Sequence, residues 1–231
     1  MIISHKYKFI FFKTSKTAGT SIEIALSKFC DKDDIITPIS KEDEQLRRKL
    51  GYRGPQNYKF SLSEYNLFDC VNFIFKFRKR RKKEFYNHIS SKEVKTLINN
   101  SCWNSYYKFC FERNPWDKVV SQYYWKTTEP RPSIEEFLQS RHLAGLKKRG
   151  FNIYTINKNI SLDKVYKFEE LNDSLSHIKR VLNLPENIIL PKAKSKYRLD
   201  KKHYSEMFNN NEKNVINSKF EEEIKLFNYD Y

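Results

Sequence analysis

The sequence has few cysteines, and their spacing does not form a recognisable site. Cys30, Cys70, Cys102 and Cys110 are far apart, with no Cys-x-x-Cys pair and no Cys/His cluster. Zinc sites and disulfide frameworks require such spacing, so the sequence indicates neither of them. We therefore expect reduced thiols, no bound metal and a cytoplasmic location.

Long apolar runs are also missing. Residues 1–6 lack the apolar segment of a signal peptide, and no later run approaches the ~20 apolar residues of a membrane-spanning helix. No linker or internal repeat divides the chain. We predict a single domain over residues 1–231 with no transmembrane segment.

Basic and aromatic residues, by contrast, are abundant. The chain has 44 Lys and Arg against 28 Asp and Glu, a net charge of +16, and 16% aromatic residues. That apolar content excludes a disordered chain, and the charge favours phosphorylated or polyanionic partners. The run Lys76–Lys83 (KFRKRRKK) is either a solvated basic face or the wall of a cleft that attracts a polyanionic acceptor.

Short strand-like segments alternate with helical ones along the chain. Aromatic and β-branched runs predict strands at 7–12, 106–111 and 164–168. Apolar periodicity and capping residues predict helices at 20–29, 42–50, 91–99, 115–125, 170–182 and 213–227, and another opening at 132–136. This order predicts an α/β fold: a three-layer, P-loop-type domain with a central parallel sheet flanked by helices.

A loop rich in Lys, Thr and Ser joins the first predicted strand to the first predicted helix. Its sequence is KTSKTAGTS, residues 13–21. Such a loop directs backbone N–H groups at phosphate oxygens, and the helix N-terminus adds positive charge. The order is not that of a Walker A motif, because Lys16 precedes the single Gly19. Alone, the loop also fits an ordinary turn with a helix cap.

A second constellation follows the next strand, with the sequence RNPWDKVVS at residues 113–121. Arg113 stands at a strand end, and Ser121 lies two helical turns further on. Both can reach one anion, because helix N-termini at the carboxyl edge of a parallel sheet face the same crevice. Alone, Arg-Asn-Pro is only a helix-start signal.

Together, the two constellations resemble the sulfotransferase superfamily that uses 3′-phosphoadenylyl sulfate (PAPS), particularly its carbohydrate branch (sulfotransferase family 2-like). KTSKTAGTS is similar to the family's 5′-phosphosulfate loop, and RNPWDKVVSQY (113–123) to its 3′-phosphate motif. Three weaker matches follow in the expected order: VYKFEEL (165–171), KAKSKYRLDKKHY (192–204) and LFNY (226–229).

The resemblance implies transfer of a sulfuryl group from PAPS to an acceptor hydroxyl, without a metal. It assigns Lys16 to the leaving oxygen and places Arg113 and Ser121 on the 3′-phosphate. The remaining donor-binding residues that it implies are Lys13, Thr17, Ala18, Gly19, Thr20 and Ser21 in the loop, and Lys194, Lys196, Tyr197 and Arg198 in a later basic segment.

The general base is expected to be His88, because imidazole titrates near neutrality and the carbohydrate branch often places a His ahead of the 3′-phosphate strand. The alternative is that His88 is simply an exposed loop residue. His142 and His203 are rivals for the base, and Glu23 is a further candidate that is otherwise exposed or related to the helix cap.

The acceptor side of the protein is less defined. Residues 31–105 are expected to be a variable acceptor-side insertion, and the acceptor a carbohydrate or polysaccharide, including polyanionic ones. Two other classes stay open: a P-loop nucleotide kinase-like enzyme, which needs acidic magnesium ligands, and a basic nucleic-acid-binding protein. The core-type placement of the aromatics argues against a nucleic-acid partner.

Overall fold

A computed structural model describes residues 1–75, 82–191 and 202–231. Its strands are β1 Ile2–Ser4, β2 Phe9–Phe11, β3 Ile35–Ile36, β4 Tyr107–Glu112, β5 Thr155–Ile156, β6 Asn159–Ile160 and β7 Lys164–Lys167. Its helices are α1 Gly19–Ser27, α2 Lys41–Lys49, α3 Leu67–Phe75, α4 Ser91–Leu97, α5 Asn100–Ser105, α6 Pro115–Lys126, α7 Ile134–Gln139, α8 Arg141–Lys148, α9 Phe151–Tyr154, α10 Leu171–Val181, α11 Asn210–Lys219 and α12 Glu221–Phe227.

The main sheet has five strands in the order β3-β1-β2-β4-β7. Strands β2, β4 and β7 are parallel, whereas β1 runs antiparallel to both of its neighbours. The α/β fold is confirmed, and its central sheet is mixed. The reversed strand comes from Ile2–Ser4, ahead of the first predicted strand, because this short apolar segment pairs with β2 through the turn between them.

Alternating residues of each strand face opposite sides of the sheet, as strand geometry requires. Phe9 and Phe11 pack in one apolar cluster with residues of α1 and α10. Ile10 and Phe12 pack in another with residues of α4, α5 and α9. Helices therefore cover both faces, which gives the three predicted layers.

A third apolar cluster is built from helices rather than from the sheet. It joins residues of α6, α7, α8, α11 and α12 around Trp116, Leu146 and Phe220. The predicted helix at 213–227 is two helices, since α11 ends at Lys219 and α12 starts at Glu221. In the described ranges, no helix has both the length and the apolarity needed to cross a membrane.

Candidate functional site

The carboxyl ends of the three parallel strands lie at one edge of the sheet. β2 leads into the loop that begins at Lys13, β4 ends just before Arg113, and β7 leads into Phe168 and Glu169. In open α/β sheets this edge is where ligands bind. The two constellations of the sequence are thus brought to the same edge.

The loop between β2 and α1 has an uncommon backbone conformation. Lys16 and Ala18 have positive φ angles, 66° and 54°, with Thr17 between them. Left-handed residues that alternate with right-handed ones turn successive N–H groups toward a common point and make an anion-binding concavity. Such a conformation costs a non-glycine residue about 1–2 kcal/mol. The loop therefore holds strain at the position where phosphate binding is expected.

The N-terminus of α1 opens into this loop. Its N-cap residue is Ala18, and the described residues supply no side-chain cap there. The first N–H groups of any helix lack partners within the helix, and the helix dipole adds positive potential. Gly19, Thr20 and Ser21 thus present N–H groups suited to an anion.

Gly19 is required by the packing of Lys13. A Cβ atom at Gly19 would lie 2.9 Å from Lys13 Cγ, closer than real Cβ contacts allow, and 3.2 Å from the Thr14 carbonyl oxygen, tighter than most such contacts. The Lys13 side chain passes over Gly19 and places its ammonium 3.0 Å from Glu23 Oε2. The glycine thus lets the first strand end lie directly on the start of α1.

Glu23 is fully buried, contrary to the expectation that it is exposed or related to the helix cap. Its Oε1 atom lies 3.0 Å from the Met1 amino group and 3.6 Å from Arg47 Nη2, and it accepts a hydrogen bond from the Thr37 hydroxyl. Burial raises the pKa of Glu23, but the Lys13, Met1 and Arg47 charges outweigh it and lower the pKa to about 2. A carboxylate held ionised in this way is a weak base.

Further hydrogen bonds fix the loop on its other side. The Thr14 hydroxyl donates to the Phe111 carbonyl of β4 and lies 2.9 Å from the Thr17 hydroxyl. The Ser15 N–H donates to the Arg149 carbonyl at 2.7 Å, and Arg149 Nε donates to Ser15 Oγ at 3.2 Å. The loop is therefore held by β4 and by the residue that follows α8.

Arg113 connects the second constellation to the loop. Its Nη1 donates to the Lys16 carbonyl at 3.0 Å, while Nε and Nη2 donate to Asp117 Oδ2 at 2.8 and 2.6 Å. The guanidinium also lies 4.4 Å from the centroid of the Phe168 ring. A guanidinium held on three sides stays at the loop in one orientation.

Ser121 lies on the face of α6 that carries Asp117. Residues four apart share a helix face, so Asp117, Ser121 and Trp125 form one stripe. The stripe meets the loop at both ends, since Arg113 bonds Asp117 and the Lys16 ammonium lies 4.9 Å from the centroid of a Trp125 ring. Ser121 occupies the turn between these two contacts.

His88 is placed at the beginning of the loop. It is half-buried, has a positive φ of 60°, and its Nδ1 lies 2.8 Å from the Lys13 carbonyl oxygen. A carbonyl oxygen only accepts, so Nδ1 carries the proton and Nε2 keeps a lone pair. Burial, with the nearby Lys13 charge, lowers the pKa of His88 to about 3, against the opposing effect of the hydrogen bond to the Lys13 carbonyl. His88 is therefore an oriented, neutral acceptor, but its lowered pKa makes the free ring a weaker base than the near-neutral imidazole expected from the sequence.

Comparisons with known proteins add one relative and one similar structure. No family model matches the chain. An uncharacterised protein of Archaeoglobus fulgidus is 30% identical over 101 residues, which are 41% of this chain and 82% of the archaeal one. The two proteins belong to one family. A crystal structure of a sulfotransferase from Alicyclobacillus acidocaldarius aligns with 96% of each chain at a TM-score of 0.44 and 13% identity.

Most of the site residues expected from the sequence come together at the sheet edge. These are Lys13, Lys16, Thr17, Ala18, Gly19, Thr20, Ser21, His88, Arg113 and Ser121. The rival bases lie elsewhere: His142 stacks on Phe137, and His203 bonds Ser205 beside Tyr204. Lys194, Lys196, Tyr197 and Arg198, and most of the basic run 76–83, are outside the described residues.

Four residues that contact the site were assigned no role from the sequence: Arg149, and Asp117, Phe168 and Glu169, which lie within segments that carry the resemblance. Asp117 could have been identified from the sequence, because a carboxylate four residues after an arginine is a common ion-pair spacing on a helix. Glu169 Oε1 accepts from the Asn114 N–H at 2.8 Å, and Oε2 accepts from the Tyr229 hydroxyl at 3.3 Å. No local pattern predicts this contact or that of Arg149, because both join distant parts of the chain.

Proposed function

We propose that the protein is a PAPS-dependent sulfotransferase that transfers a sulfuryl group to an acceptor hydroxyl. One observation carries the proposal: the phosphate-type loop, the Arg113 motif and His88 meet at the backbone of residues 13–16. Arg113 Nη1 bonds the Lys16 carbonyl, and His88 Nδ1 bonds the Lys13 carbonyl. An anion site, a second cation and an oriented base thus surround one loop.

The 5′ side of the donor fits the loop and the start of α1. The N–H groups of Gly19, Thr20 and Ser21 and the concavity between Lys16 and Ala18 match the oxygens of a phosphate. The Lys16 side chain, which lies over Trp125, can turn toward the bridging oxygen and neutralise the charge that develops there.

The 3′-phosphate is assigned to Arg113 and Ser121. Arg113 keeps its orientation through Asp117 and Phe168, so that its charge is in place before the ligand arrives. Ser121 follows one turn after Asp117 on the same stripe, where its hydroxyl can donate to a phosphate oxygen. Lys194, Lys196, Tyr197 and Arg198 remain proposed contacts from the resemblance alone.

The transfer step is an in-line displacement at sulfur. The acceptor oxygen forms a new bond to sulfur while the bond between sulfur and the bridging phosphate oxygen breaks. His88 Nε2 takes the acceptor proton, and Lys16 stabilises the negative charge left on adenosine 3′,5′-bisphosphate. Since its Nδ1 proton is held by a backbone carbonyl, His88 offers Nε2 in a fixed direction.

Lys13 is assigned mainly a positioning role. Its ammonium is buried against Glu23, and its carbonyl orients His88. It therefore links the base to the start of α1, and its charge adds to the positive potential at the loop.

The acceptor is proposed to be a carbohydrate hydroxyl. Support comes from the His88 segment, which resembles the carbohydrate branch, and from the net charge of +16, which suits an anionic glycan.

The donor site is tested by isothermal titration with adenosine 3′,5′-bisphosphate, beside ATP. We expect micromolar binding of the bisphosphate and much weaker binding of ATP. The variant Arg113→Ala/Ser121→Ala should lose about 100-fold or more in affinity, because it removes two charged hydrogen-bonding groups that each contribute about 1.5–3 kcal/mol.

A matched control removes the same groups elsewhere. Arg180 and Ser176 are exposed on α10, four residues apart, and Arg180→Ala/Ser176→Ala should bind like the wild type. Thermal unfolding checks that the variants fold. If the folded wild type did not bind the bisphosphate, the sulfotransferase proposal would be rejected. Magnesium-dependent ATP hydrolysis would then favour a kinase-like enzyme, and salt-dependent RNA binding would favour a nucleic-acid-binding protein.

The base is tested separately by His88→Ala. Transfer to an acceptor should fall by at least about 100-fold, as expected when a general base is removed, while the bisphosphate affinity stays within about threefold. An equal loss of both would instead give His88 a role in donor binding or in loop structure.

A further inference from the structure

Helix α3 presents its apolar side chains to solvent and its polar side chains to the protein. Seven of its nine residues are exposed, and the two buried ones are Asp69 and Asn72. We define the apolar face of α3 as its exposed apolar residues. They are Leu67, Phe68, Val71, Phe73, Ile74 and Phe75, with exposures from 39% for Val71 to 87% for Leu67.

This inverted arrangement is held by specific contacts. The Asn66 side chain caps the helix by accepting from the Asp69 N–H at 2.8 Å. Lys83 Nζ lies 3.1 Å from Asp69 Oδ2 and donates to the Glu64 carbonyl at 2.8 Å. Because the polar residues of α3 face the protein, its apolar face is directed outward.

Helix α3 belongs to a segment whose two ends pair with each other near residues 58–60 and 83–85. Lys59 and Glu84 form an antiparallel bridge, and the Phe85 N–H donates to the Tyr58 carbonyl at 2.7 Å. The face on α3 is thus set apart from the sheet, on an element that joins the fold through paired backbone. Such exposed, clustered apolar side chains mark an interaction surface.

Basic residues follow the apolar face directly in the chain. Seven of the eight residues from Lys76 to Lys83 are Lys or Arg; Lys83 pairs with Asp69, whereas Lys82 is exposed. Apolar side chains next to a basic cluster are the composition that binds the surface of an anionic bilayer, where each basic residue adds attraction to the lipid headgroups. At nine residues, α3 is long enough to lie in the interface and too short to span it.

We propose that the apolar face of α3 docks on an anionic lipid membrane. A second copy of the chain is a poorer partner, because both copies carry a net charge of +16 and like charges oppose pairing. A soluble polyanion would satisfy the basic residues and leave six apolar side chains in water. An anionic bilayer satisfies both.

Vesicle co-sedimentation of the full chain tests this proposal without reference to enzyme activity, so it stands or falls independently of the proposed function. Vesicles of phosphatidylcholine with about 30% phosphatidylserine are compared with pure phosphatidylcholine. We expect at least about tenfold stronger partitioning onto the anionic vesicles, weakened by high salt.

The variant Leu67→Ser/Ile74→Ser should lose about tenfold or more of this partitioning, because two large side chains no longer enter the interface. Its matched control is Ile160→Ser/Ile189→Ser, which changes two apolar residues that are 42% and 73% exposed elsewhere and should leave partitioning unchanged. All four side chains are exposed, so the unfolding temperature should not change.

Three results would overturn the proposal. One is equal partitioning of the wild type onto both kinds of vesicle, or none. Another is a wild-type dimer in sedimentation velocity that the Leu67→Ser/Ile74→Ser variant converts to a monomer, which would make the face a self-association surface. The third is binding of a soluble anionic polysaccharide, equally strong in the variant, without binding to vesicles.

Discussion

At the scale of single residues, His88 shows how the backbone sets a side chain's chemistry. The Lys13 carbonyl decides which nitrogen carries the proton, and burial together with the positive surroundings lowers the pKa of the ring to about 3. The neutral form is therefore present throughout the physiological range. A bound anion beside the ring would reverse part of this effect.

We predict that His88 does not titrate between about pH 5 and 8 in the free protein, and that adenosine 3′,5′-bisphosphate raises its pKa, because added negative charge favours imidazolium. NMR titration of the ring proton, assigned with His88→Ala, measures both. A free-protein pKa near the usual value, or no rise with ligand, would contradict the placement of the ring beside the donor.

Glu223 is a second residue whose surroundings decide its ionisation. It is fully buried on α12, near Lys118, which already pairs with Glu112. Burial raises the pKa of Glu223 from 4.5 to about 7, with Lys118 opposing the rise and Glu112 adding to it. Because the folded pKa is above the unfolded one, its contribution to stability is complete below pH 4.5 and is lost as the pH rises through 7.

At pH 8 the free energy of unfolding of Glu223→Gln should therefore exceed that of the wild type by on the order of 1–3 kcal/mol. At pH 5 the two proteins should be nearly equally stable. Urea unfolding at the two pH values measures the difference. Glu222→Gln is the neighbouring control: Glu222 is partly exposed and lies 2.6 Å from Lys147 Nζ, so its loss should bring no gain at pH 8. A wild type as stable as Glu223→Gln at pH 8 would disprove the argument.

At the scale of elements, the loop and α1 depend on close approach between β2 and the helix. Gly19→Ala should destabilise the protein by on the order of 1–3 kcal/mol and weaken bisphosphate binding, since a Cβ atom would displace the Lys13 side chain or the Thr14 carbonyl. Thermal unfolding and titration calorimetry measure the two effects.

Gly54→Ala is the control for this substitution. A Cβ atom there would meet nothing within 4 Å, and the change should leave both stability and binding as they are. If Gly19→Ala behaved in the same way, the tight packing of Lys13 over the start of α1 would be wrong.

At the scale of the whole molecule, the net charge of +16 acts on any anionic ligand that approaches. The association rate of adenosine 3′,5′-bisphosphate should fall steeply as the ionic strength rises from about 0.05 to 0.5 M, because salt shortens the range of the attraction. Stopped-flow measurements should show little change for uncharged adenosine. An association rate that does not change with ionic strength would mean that the basic residues do not attract the ligand to its binding site.

The elements that carry the two motifs were predictable from the sequence, whereas α3, α5, α9 and the β5–β6 pair were not. The strand, loop and helix around Lys13–Ser21 and the strand, Pro115 and helix after Tyr106 follow from apolar periodicity and capping residues, which act over a few neighbours. The reversed strand Ile2–Ser4 and the break at Phe220 were not predicted, because both depend on what the segment packs against.

The candidate site divides in the same way. The residue types that suit phosphate, such as those of KTSKTAGTS, and the order of the two motifs were determined by the sequence, because composition and short spacing carry that information. The burial of Glu23, the contact of Arg149 with Ser15 and the hydrogen bond of His88 to Lys13 were decided only by the tertiary structure. These contacts join residues far apart in the chain, and only the folded sheet edge brings their charges and hydrogen-bonding groups within reach of one another.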